Sequence, residues 1–515
     1  MDTNRPLARE VPLKCPERLF INGEWVEPST DARIEVIAPA TEEVYVRVAA
    51  AAEADINRAV EAARQAFDRG PWPRMTHAER ARYLSAISDE LTRRAPDVAV
   101  IWPNEMGILH SLAQAYSGGV GGIYKFYAGL ASKFSFEEER RTFSGAKHGL
   151  LVREPVGVVG AIIPWNGPIS LIAFKVAPAL LAGCTVVIKA SPEAPGHALL
   201  MAEIAETVGL PPGVINVITA DRSASEALVR HPGIDKIAFT GSSNTGKHIA
   251  SILGSRMARY TLELGGKSAA IVLDDYDVEV AARTIAANTC DMTGQVCAAL
   301  TRLVVSRPRH DQLLDALSSS VSKVVVGDPF DPATQMGPLA TRRQRDVVER
   351  YIRQGKESGF TLAAGGGRPQ HLDRGFFVEP TVFGNVDNRS SIAQEEIFGP
   401  VIVVIAAESD EQAVEIANDS PYGLNAAVFT NDIERAYALA RRLRTGTVGH
   451  NALRLDFSIA FGGFKQSGVG REGGVEGLYP YLETKTILLD GLPAALRKPA
   501  ADAPPSSPVQ ARSAP

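Results

Sequence analysis

The sequence predicts an α/β protein with two open, doubly wound parallel sheets and a smaller β element. Short β-branched segments alternate with amphipathic helical segments in two separate stretches, residues 154–253 and residues 269–443. This alternation is typical of βαβ units, which build parallel sheets. A chain of 515 residues also has the length for two to four domains.

The elements before the first stretch are a hairpin and three helices. Residues 19–25 are predicted as a hairpin because Asn22-Gly23 lies between apolar runs. Residues 76–94 are predicted as a helix in which Thr76 and Glu79 form a capping box. The other two predicted helices are 54–67 and 111–131.

The two alternating stretches supply the main strands and helices. In the first, the predicted strands are 154–164, 185–189, 215–218 and 236–239, and the helices are 170–181, 198–208, 224–229 and 244–253. In the second, the strands are 269–273, 302–306, 401–405 and 426–430, and the helices are 278–288, 342–358, 410–418 and 433–443. Residues 140–152 have no helical period and are predicted as an excursion from the main body.

The composition is that of an ordinary globular protein, with 45% apolar and 22% charged residues. The net charge of −5 argues against a nucleic-acid binder, which is usually basic. Four cysteines without a CxxC or Cys/His spacing predict no zinc or other metal site and a reduced, intracellular protein. The N-terminus lacks an apolar signal core, and the longest apolar stretch is broken by Lys175, Pro178 and Gly183, so a cytoplasmic location without membrane spans is expected.

Two glycine patterns are similar to nucleotide-binding motifs, but neither fits fully. The literal GxGxxG from Gly468 to Gly473 has no strand before it and is interpreted as a loop in which backbones pack closely. The segment from Gly241 to His248 is nearly a P-loop, but His248 stands where a magnesium-binding hydroxyl is required, which argues against ATP hydrolysis. A glycine turn that leads into a helix N-terminus still favours a phosphate.

Four residues are candidates for chemistry, and each also has a purely structural explanation. Cys297 follows a Gly294-Gln295 turn, although buried cysteines are often inert; its spacing from Cys290 predicts that the two share one helix face. Glu263 lies between two leucines, where a carboxyl has a raised pKa, or it is a surface glutamate at a strand end. Asn166 follows a buried strand and offers a side-chain amide, or it forms a turn.

Lys189 ends the predicted strand 185–189, at the edge of an open α/β sheet where ligands bind. Its ammonium could bind ribose hydroxyls or a phosphate. The alternative is a solvated lysine at a strand end. The combination of Lys189 with Cys297, Glu263 and Asn166 favours a functional site.

Several motifs together resemble the aldehyde dehydrogenase superfamily over about residues 20–490. Each is weak alone, but the ordered set is specific. In chain order they are Pro-Trp-Asn at 164–166, Lys189, Phe-Thr-Gly-Ser at 239–242, Leu-Glu-Leu-Gly-Gly-Lys-Ser at 262–268, Gly-Gln-Val-Cys at 294–297, Glu-Glu-Ile-Phe-Gly-Pro at 395–400, and Phe-Gly-Gly-Phe-Lys-Gln-Ser-Gly at 461–468.

This resemblance implies oxidation of an aldehyde to a carboxylic acid with NAD. Cys297 would be the nucleophile that forms a thiohemiacetal and then a thioester, Asn166 and the Cys297 N–H would hold the oxyanion, and Glu263 would activate the hydrolytic water. The residues implied to bind the cofactor are Trp165, Lys189, Glu193, Gly241, Ser242, Gly246, Glu396 and Phe398.

The sequence departs from the family pattern at two places. Pro192 stands where many NAD-preferring members carry a glutamate, and the acid is Glu193, one position later, so NADP is an alternative cofactor to NAD. Gly167 stands where some relatives carry an aromatic residue, which leaves room for a medium or large apolar, aromatic or terpenoid aldehyde, although Arg454 and Asp456 lie close enough to oppose an apolar substrate. The predicted channel residues are Gly167, Leu171, Phe174, Met292, Phe457 and Phe461.

The resemblance also implies the domain organisation. A Rossmann-like NAD(P)-binding domain would comprise 1–130 and 152–262, and a catalytic domain 263–477. An oligomerisation element would combine 131–151 with 478–495 in a homodimer or homotetramer, and 496–515 would be a disordered tail. No nucleic-acid or membrane partner is expected. The alternative functions are a CoA-acylating relative, against which Glu263 argues, a thioesterase or esterase, and a non-enzymatic binding protein.

Overall fold

A computed structural model describes residues 10–491 and 493. These residues divide into two compact units. The first unit contains the residues up to Lys133 and Pro155–Leu482, and the second contains Phe134–Glu154 and the described residues from Glu483 onward. None of the described helices has both the length and the apolarity needed to cross a bilayer. The predicted tail, 496–515, lies outside the described residues.

The strands and helices follow in chain order. The strands are β1 Leu19–Ile21, β2 Glu24–Val26, β3 Arg33–Ala38, β4 Glu43–Ala49, β5 Glu137–Arg140, β6 His148–Pro155, β7 Val158–Ile162, β8 Thr185–Ala190, β9 Ile215–Thr219, β10 Lys236–Thr240, β11 Arg259–Glu263, β12 Ser268–Val272, β13 Leu300–Ser306, β14 Thr361–Ala364, β15 Thr381–Gly384, β16 Val401–Ala407, β17 Asn425–Phe429, β18 Thr447–His450, β19 Gly468–Val469 and β20 Leu482–Leu489. The helices are α1 Glu53–Asp68, α2 His77–Arg93, α3 Ala95–Met106, α4 His110–Leu130, α5 Pro168–Ala182, α6 Gly196–Thr207, α7 Arg222–Arg230, α8 Ser243–Gly254, α9 Val278–Cys290, α10 His310–Val321, α11 Arg342–Glu357, α12 Ser391–Gln394, α13 Asp410–Asn418 and α14 Ile433–Ala440.

The first large sheet confirms the predicted doubly wound fold. Its order is β19-β11-β10-β7-β8-β9-β1-β2, and the five strands from β11 to β9 are parallel. Strands β7 and β8 are buried along their whole length, as expected where helices cover both faces of a parallel sheet. The carboxyl ends of β7, β8, β10 and β11 therefore lie along one edge, where ligands bind in open α/β sheets.

The second large sheet has the order β14-β15-β16-β13-β12-β17-β18. All its pairings are parallel except that of β14 with β15. Buried residues of α9 and α10 pack on β12 and β13 in one hydrophobic cluster. This sheet confirms the second predicted α/β region.

The second unit contains a three-stranded sheet with the order β20-β6-β5. Strand β5 pairs antiparallel with β6, from Glu137 opposite Val152 to Arg140 opposite Gly149. Its predicted role as an oligomerisation element, and the predicted domain boundaries, stay predictions.

The predicted local signals agree with the structure at the hairpin and at the capping box. Asn22 and Gly23 have φ of 57° and 79°, as a tight hairpin turn requires. The Thr76 Oγ1 accepts from the Glu79 N–H at 3.2 Å, and the Glu79 carboxylate accepts from the Thr76 N–H at 2.8 Å. Both elements form where the sequence places them.

The structure departs from the sequence prediction at a helix and at a strand. Helix α3 is absent from the sequence prediction, because Pro96 and Pro103 interrupt its pattern and every residue from Val98 to Met106 is buried. The predicted strand 154–164 is two strands, β6 and β7, separated at Gly157, where φ is +130°. A Cβ at Gly157 would lie 1.8 Å from Asp235 Oδ2, so a glycine is needed where the chain passes that carboxylate.

Candidate active site

Cys297 lies after a turn with unusual backbone angles. Helix α9 ends at Cys290, and the next residues include Met292, Thr293 and Gly294 with φ of 49°, 56° and 70°. Three left-handed residues in succession cannot continue a helix, so the prediction that Cys290 and Cys297 share a helix face is wrong. A Cβ at Gly294 would lie 2.4 Å from the Gly399 carbonyl carbon, so this glycine permits close backbone packing.

Hydrogen bonds hold this turn in place. The Thr293 hydroxyl donates to the Gly337 carbonyl at 3.0 Å. The fully buried Gln295 side chain donates to the Met292 carbonyl at 3.0 Å and accepts from the Ala340 N–H at 2.9 Å. Left-handed backbone in residues other than glycine is costly and persists where its surroundings fix it. These bonds therefore fix the approach of the chain to Cys297.

Asn166 lies beside the same segment. Its side-chain Nδ2 donates to the Gln295 carbonyl at 3.0 Å. Its own carbonyl accepts from the Trp102 indole N–H at 2.9 Å. Trp102 is buried, so this bond fixes the backbone of the loop that follows β7. The amide of Asn166 is thus held next to the chain that leads to Cys297.

Glu263 ends β11 in an apolar, closed environment. The residue is 3% exposed, and neither carboxylate oxygen has a hydrogen-bond partner among the residues that the structure describes. Burial raises the pKa of Glu263 well above its ordinary value, and the nearby Glu472 carboxylate raises it further. An unpartnered buried carboxylate is costly to a fold, which is typical of a group kept for chemistry.

A buried ion pair lies close to Glu263. Lys175 Nζ, on α5, contacts Glu472 Oε1 at 2.6 Å and Thr240 Oγ1 at 2.6 Å. The two charged side chains are 0% and 2% exposed. Sequence reasoning missed both residues because they are far apart in the chain. A lysine within the otherwise apolar helix α5 was the available signal.

The Cys297 thiol is protonated in the resting site. Burial raises the pKa of Cys297 to about 12, and the Glu396 and Glu263 carboxylates add to the rise. A thiol is a weak nucleophile compared with its thiolate. Attack on an electrophile therefore requires a proton acceptor or added positive charge nearby.

A cavity of about 260 Å³ opens at the carboxyl ends of β7, β8 and β10. Of the predicted cofactor residues, Trp165, Lys189, Glu193 and Gly241 line it. Lys189 is 7% exposed. Burial lowers its pKa to about 8, although the Glu193 and Asp221 carboxylates act in the opposite direction. A buried amine at this edge of the sheet fits the hydroxyls or phosphate of a nucleotide.

Glu193 does not extend freely into this cavity. Its carboxylate accepts from the Ser191 hydroxyl and pairs with Arg343 at 3.2 Å. Arg343 comes from α11, lines the same cavity and was not predicted from the sequence. The negative charge of Glu193 is therefore paired within the protein.

Ser242 and Gly246 lie in the first turn of α8 and do not line the cavity. Ser242 caps the helix by accepting from the Thr245 N–H at 3.4 Å. A Cβ at Gly246 would lie 2.6 Å from Leu264, so this glycine brings the helix close to the segment after β11. The N–H groups of this helix start remain suited to a phosphate.

Glu396 and Phe398 lie between the cavity and Cys297. Glu396 accepts from the Gly266 N–H at 3.0 Å, and burial raises its pKa to about 7. Phe398, with φ of 57°, meets Trp165 edge to face at a centroid distance of 5.3 Å. Trp165 therefore lines the cavity and also contacts the segment that contains Glu396 and Phe398.

Three predicted channel residues form one aromatic surface. The ring centroids of Phe174 and Phe457 are 4.1 Å apart, and those of Phe457 and Phe461 are 5.1 Å apart. Phe461 and Phe457 pack in the same hydrophobic cluster as Cys297. An apolar body bonded at Cys297 would therefore meet aromatic rings.

The other predicted channel residues are Gly167, Leu171 and Met292. The position of a Cβ at Gly167 lies 3.9 Å from both Leu171 and Trp102. The Trp102 indole therefore occupies part of the space that the missing side chain at Gly167 was expected to free. Met292 lies within the left-handed turn.

The first sheet is doubly wound and has a cavity at its carboxyl edge, and a cysteine lies near a buried glutamate, as expected of an α/β enzyme. The model of the aldehyde dehydrogenase family matches residues 25–487. Geranial dehydrogenase of Castellaniella defragrans is 44% identical over 476 residues, which cover 92% of this chain and 99% of that protein. The chain belongs to the aldehyde dehydrogenase family.

Solved structures agree with this assignment. A Mycobacterium tuberculosis aldehyde dehydrogenase complexed with NAD+ is 43% identical, with a TM-score of 0.90 over 92% of this chain and 99% of that chain. A mutant aldehyde dehydrogenase of Pseudomonas syringae complexed with NAD+ and octanal is 38% identical, with a TM-score of 0.90 over 94% and 99%. The predicted family, fold class and NAD(P)-dependent dehydrogenase activity are confirmed.

Proposed function

We propose that the chain oxidises an apolar aldehyde to its carboxylic acid, with Cys297 as nucleophile, Asn166 as oxyanion donor and Glu263 as general base. The carboxylate of Glu263 carries this proposal, because it is buried near Cys297 and neither of its oxygens has a hydrogen-bond partner in the described part of the chain. Such a group has no evident structural use. A base held near its reactant is what hydrolysis of a thioester requires.

In the first step, the Cys297 thiol loses its proton to solvent water and its sulfur bonds to the aldehyde carbon. The carbonyl oxygen gains the negative charge and accepts hydrogen bonds from Asn166 Nδ2 and from the Cys297 N–H. Donors preset for a developing oxyanion lower the barrier. In the structure, Asn166 Nδ2 donates to the Gln295 carbonyl. We expect the oxyanion to replace this carbonyl as the acceptor.

NAD+, when bound, would supply the acceptor for the hydride that leaves the substrate carbon, and a thioester would then remain on Cys297. Glu263 then takes a proton from water, whose oxygen bonds to the thioester carbon. The carbon–sulfur bond breaks, the carboxylic acid departs, and Glu263 returns its proton to the Cys297 sulfur. The charges of the nearby Lys175–Glu472 pair act on the pKa of Glu263, which Glu472 raises and Lys175 lowers.

The residues at the cavity fit NAD. Lys189 would donate to the adenosine ribose, Trp165 would contact the dinucleotide, and Gly241, Ser242 and Gly246 would lie beside the pyrophosphate. Glu396 and Phe398 would hold the nicotinamide ribose. NADP is the alternative, because Glu193 is paired with Arg343 and repels a phosphate less than a free carboxylate.

The aromatic surface of Phe174, Phe457 and Phe461 supports a medium or large apolar substrate. Geranial, named for one relative, and octanal, present with another, belong to this class. Other relatives are aminoaldehyde dehydrogenases, so the family also includes enzymes for polar substrates. The observation that favours the apolar class here is the aromatic packing around Cys297.

We also propose that the three-stranded sheet of the second unit joins subunits into a homodimer or homotetramer. A sheet with free edges offers backbone groups for pairing. A monomer in analytical ultracentrifugation would contradict this.

The experiment that tests the function follows absorbance of the reduced nicotinamide with a panel of short, long and aromatic aldehydes. We expect the highest kcat/KM for apolar aldehydes of eight or more carbons, about tenfold or more above acetaldehyde. Cys297→Ala should abolish the reaction while retaining nucleotide binding. A preference for acetaldehyde or for an ω-carboxylated aldehyde would contradict the substrate class.

A further inference from the structure

The cavity at the carboxyl edge of the first sheet has an apolar part and a charged part. Val229 of α7 and Ile249 and Ile252 of α8 line the apolar part, and all three belong to one hydrophobic cluster with residues of that sheet. Apolar side chains from two neighbouring helices suit the flat faces of an adenine ring. The charged part includes Lys189, near the end of β8. An adenosine in this cavity would therefore have its ribose near Lys189.

The segment after β8 is where dinucleotide-binding folds distinguish NAD from NADP. An acid after the second strand of a βαβ unit bonds the ribose 2′-hydroxyl of NAD, whereas an arginine nearby accommodates the 2′-phosphate of NADP. Here β7, α5 and β8 form such a unit, because β7 and β8 are parallel neighbours. Strand β8 carries a cation, Lys189, near its end, and the acid Glu193 follows four positions later.

The carboxylate of Glu193 is engaged within the protein. It accepts from the Ser191 hydroxyl and pairs with Arg343 of α11 at 3.2 Å. The Arg343 side chain is 76% exposed, and an ion pair open to solvent contributes little to stability. A guanidinium has five N–H donors in a planar fork. Arg343 can therefore keep its contact with Glu193 and also donate to a phosphate.

The space around this ion pair extends beyond the first cavity. A neighbouring cavity of about 500 Å³ shares Pro192, Glu193 and Arg343 with it. Proline has no charge to repel an anion, and its side chain cannot bond a ribose hydroxyl. A phosphate added to the ribose would therefore have room beside Arg343.

A second arginine, Arg222, lines the first cavity. It begins α7 and is exposed. The charge of the preceding residue, Asp221, acts on Lys189, so the start of α7 lies close to that lysine. The carboxylate of Glu226, which also lines the cavity, pairs with Arg230 at 2.6 Å. Among the described residues, both carboxylates of the lining are thus paired with arginines.

We propose that Arg222 and Arg343 bind the 2′-phosphate of NADP, with Lys189 at the adenosine ribose. The inference rests on the proposed function, since it assumes that the adenosine lies in this cavity. Arginine forks make strong, charge-assisted hydrogen bonds with phosphate oxygens. NAD lacks this phosphate and uses the same cavity without these contacts. The two arginines therefore favour NADP without excluding NAD.

The test measures, by titration calorimetry of the full-length protein, the binding of adenosine 2′,5′-bisphosphate and of adenosine 3′,5′-bisphosphate. The two compounds carry the same groups and differ only in the position of one phosphate. We expect the 2′ isomer to bind about tenfold more tightly, because only its phosphate reaches both arginines. Arg222→Gln and Arg343→Gln should each lower this ratio by about threefold, since each removes one set of charge-assisted bonds.

Arg353→Gln is the matched control. Arg353 is exposed on the same helix as Arg343 but does not line the cavity. The control removes an equal charge and should keep the wild-type ratio. Thermal unfolding verifies that each variant is folded.

Equal dissociation constants for the two isomers would overturn the 2′-phosphate site. Tighter binding of the 3′ isomer, or a ratio that neither arginine variant lowers, would also overturn it. In each of these cases AMP would still bind and NAD would still be reduced with an aldehyde. A failure of the proposed function is distinct, because the wild-type protein would then reduce neither nicotinamide cofactor with any aldehyde.

Discussion

At the scale of single residues, the site combines groups whose chemistry the sequence could suggest with groups that only the fold reveals. Cys297, Glu263 and Asn166 follow from residue type and motif. Trp102 does not, because it acts through a contact between α3 and the loop after β7. No local pattern marks a tryptophan as the partner of one particular carbonyl.

The bond from Trp102 to the Asn166 carbonyl predicts a positioning role. Trp102→Phe keeps a buried ring but removes the N–H donor. We expect kcat to fall roughly tenfold with KM for NAD little changed, because the oxyanion donor is held less firmly. Steady-state kinetics in both substrates measures this split.

Trp72→Phe is the matched control. Trp72 is fully buried, and within residues 10–491 its indole N–H has no hydrogen-bond partner. The control therefore changes the same atoms without removing a bond, and kcat should be retained. Equal kcat values for the Trp102 variant and the wild type would show that the bond does not position Asn166.

At the scale of elements, most strands and helices follow from hydrophobic pattern and turn chemistry. The alternating stretches predict both large sheets, and the capping box predicts the start of α2. Helix α3 escapes prediction because burial of most of its surface removes the polar face that a pattern requires. The turn from Asp291 to Gly294 escapes it because tertiary hydrogen bonds hold Met292 and Thr293 in a conformation that they do not prefer alone.

The contact between α3 and α6 predicts a pH-dependent stability. Glu105, 1% exposed, accepts from the Gly196 N–H at 2.8 Å, and burial raises its pKa to about 8. In the unfolded chain a glutamate has a pKa of about 4.3. Between these two pKa values, Glu105 is protonated in the folded state and ionised in the unfolded chain. Stability from this group is therefore present at low pH and is lost as the pH rises toward 8.

Glu105→Gln retains the acceptor but cannot ionise. We expect the variant and the wild type to have similar melting temperatures near pH 5, and the variant to be more stable by a few kcal/mol near pH 9. Thermal unfolding over this pH range measures the difference. A gap that is constant with pH would contradict the assignment of a neutral Glu105.

At the scale of the whole molecule, the carboxyl edge of the first sheet and the turn before β13 bring together residues from almost the entire length of the first unit. Asn166 and Glu472 are separated by about three hundred positions, yet both lie close to the pocket of Cys297 and Glu263. The fold class therefore follows from the sequence more readily than the site geometry. Assembly, which depends on surfaces of the second unit, is the least determined by sequence pattern.

The central claim is that Cys297 forms a thioester whose hydrolysis depends on Glu263. The most direct test is intact and peptide mass spectrometry of Glu263→Gln after mixing with NAD+ and an apolar aldehyde. We predict one turnover of nicotinamide reduction and an acyl group retained on the Cys297 peptide, because the base that activates water is missing. Full wild-type turnover in this variant, or an acyl group on any other residue, would contradict the account.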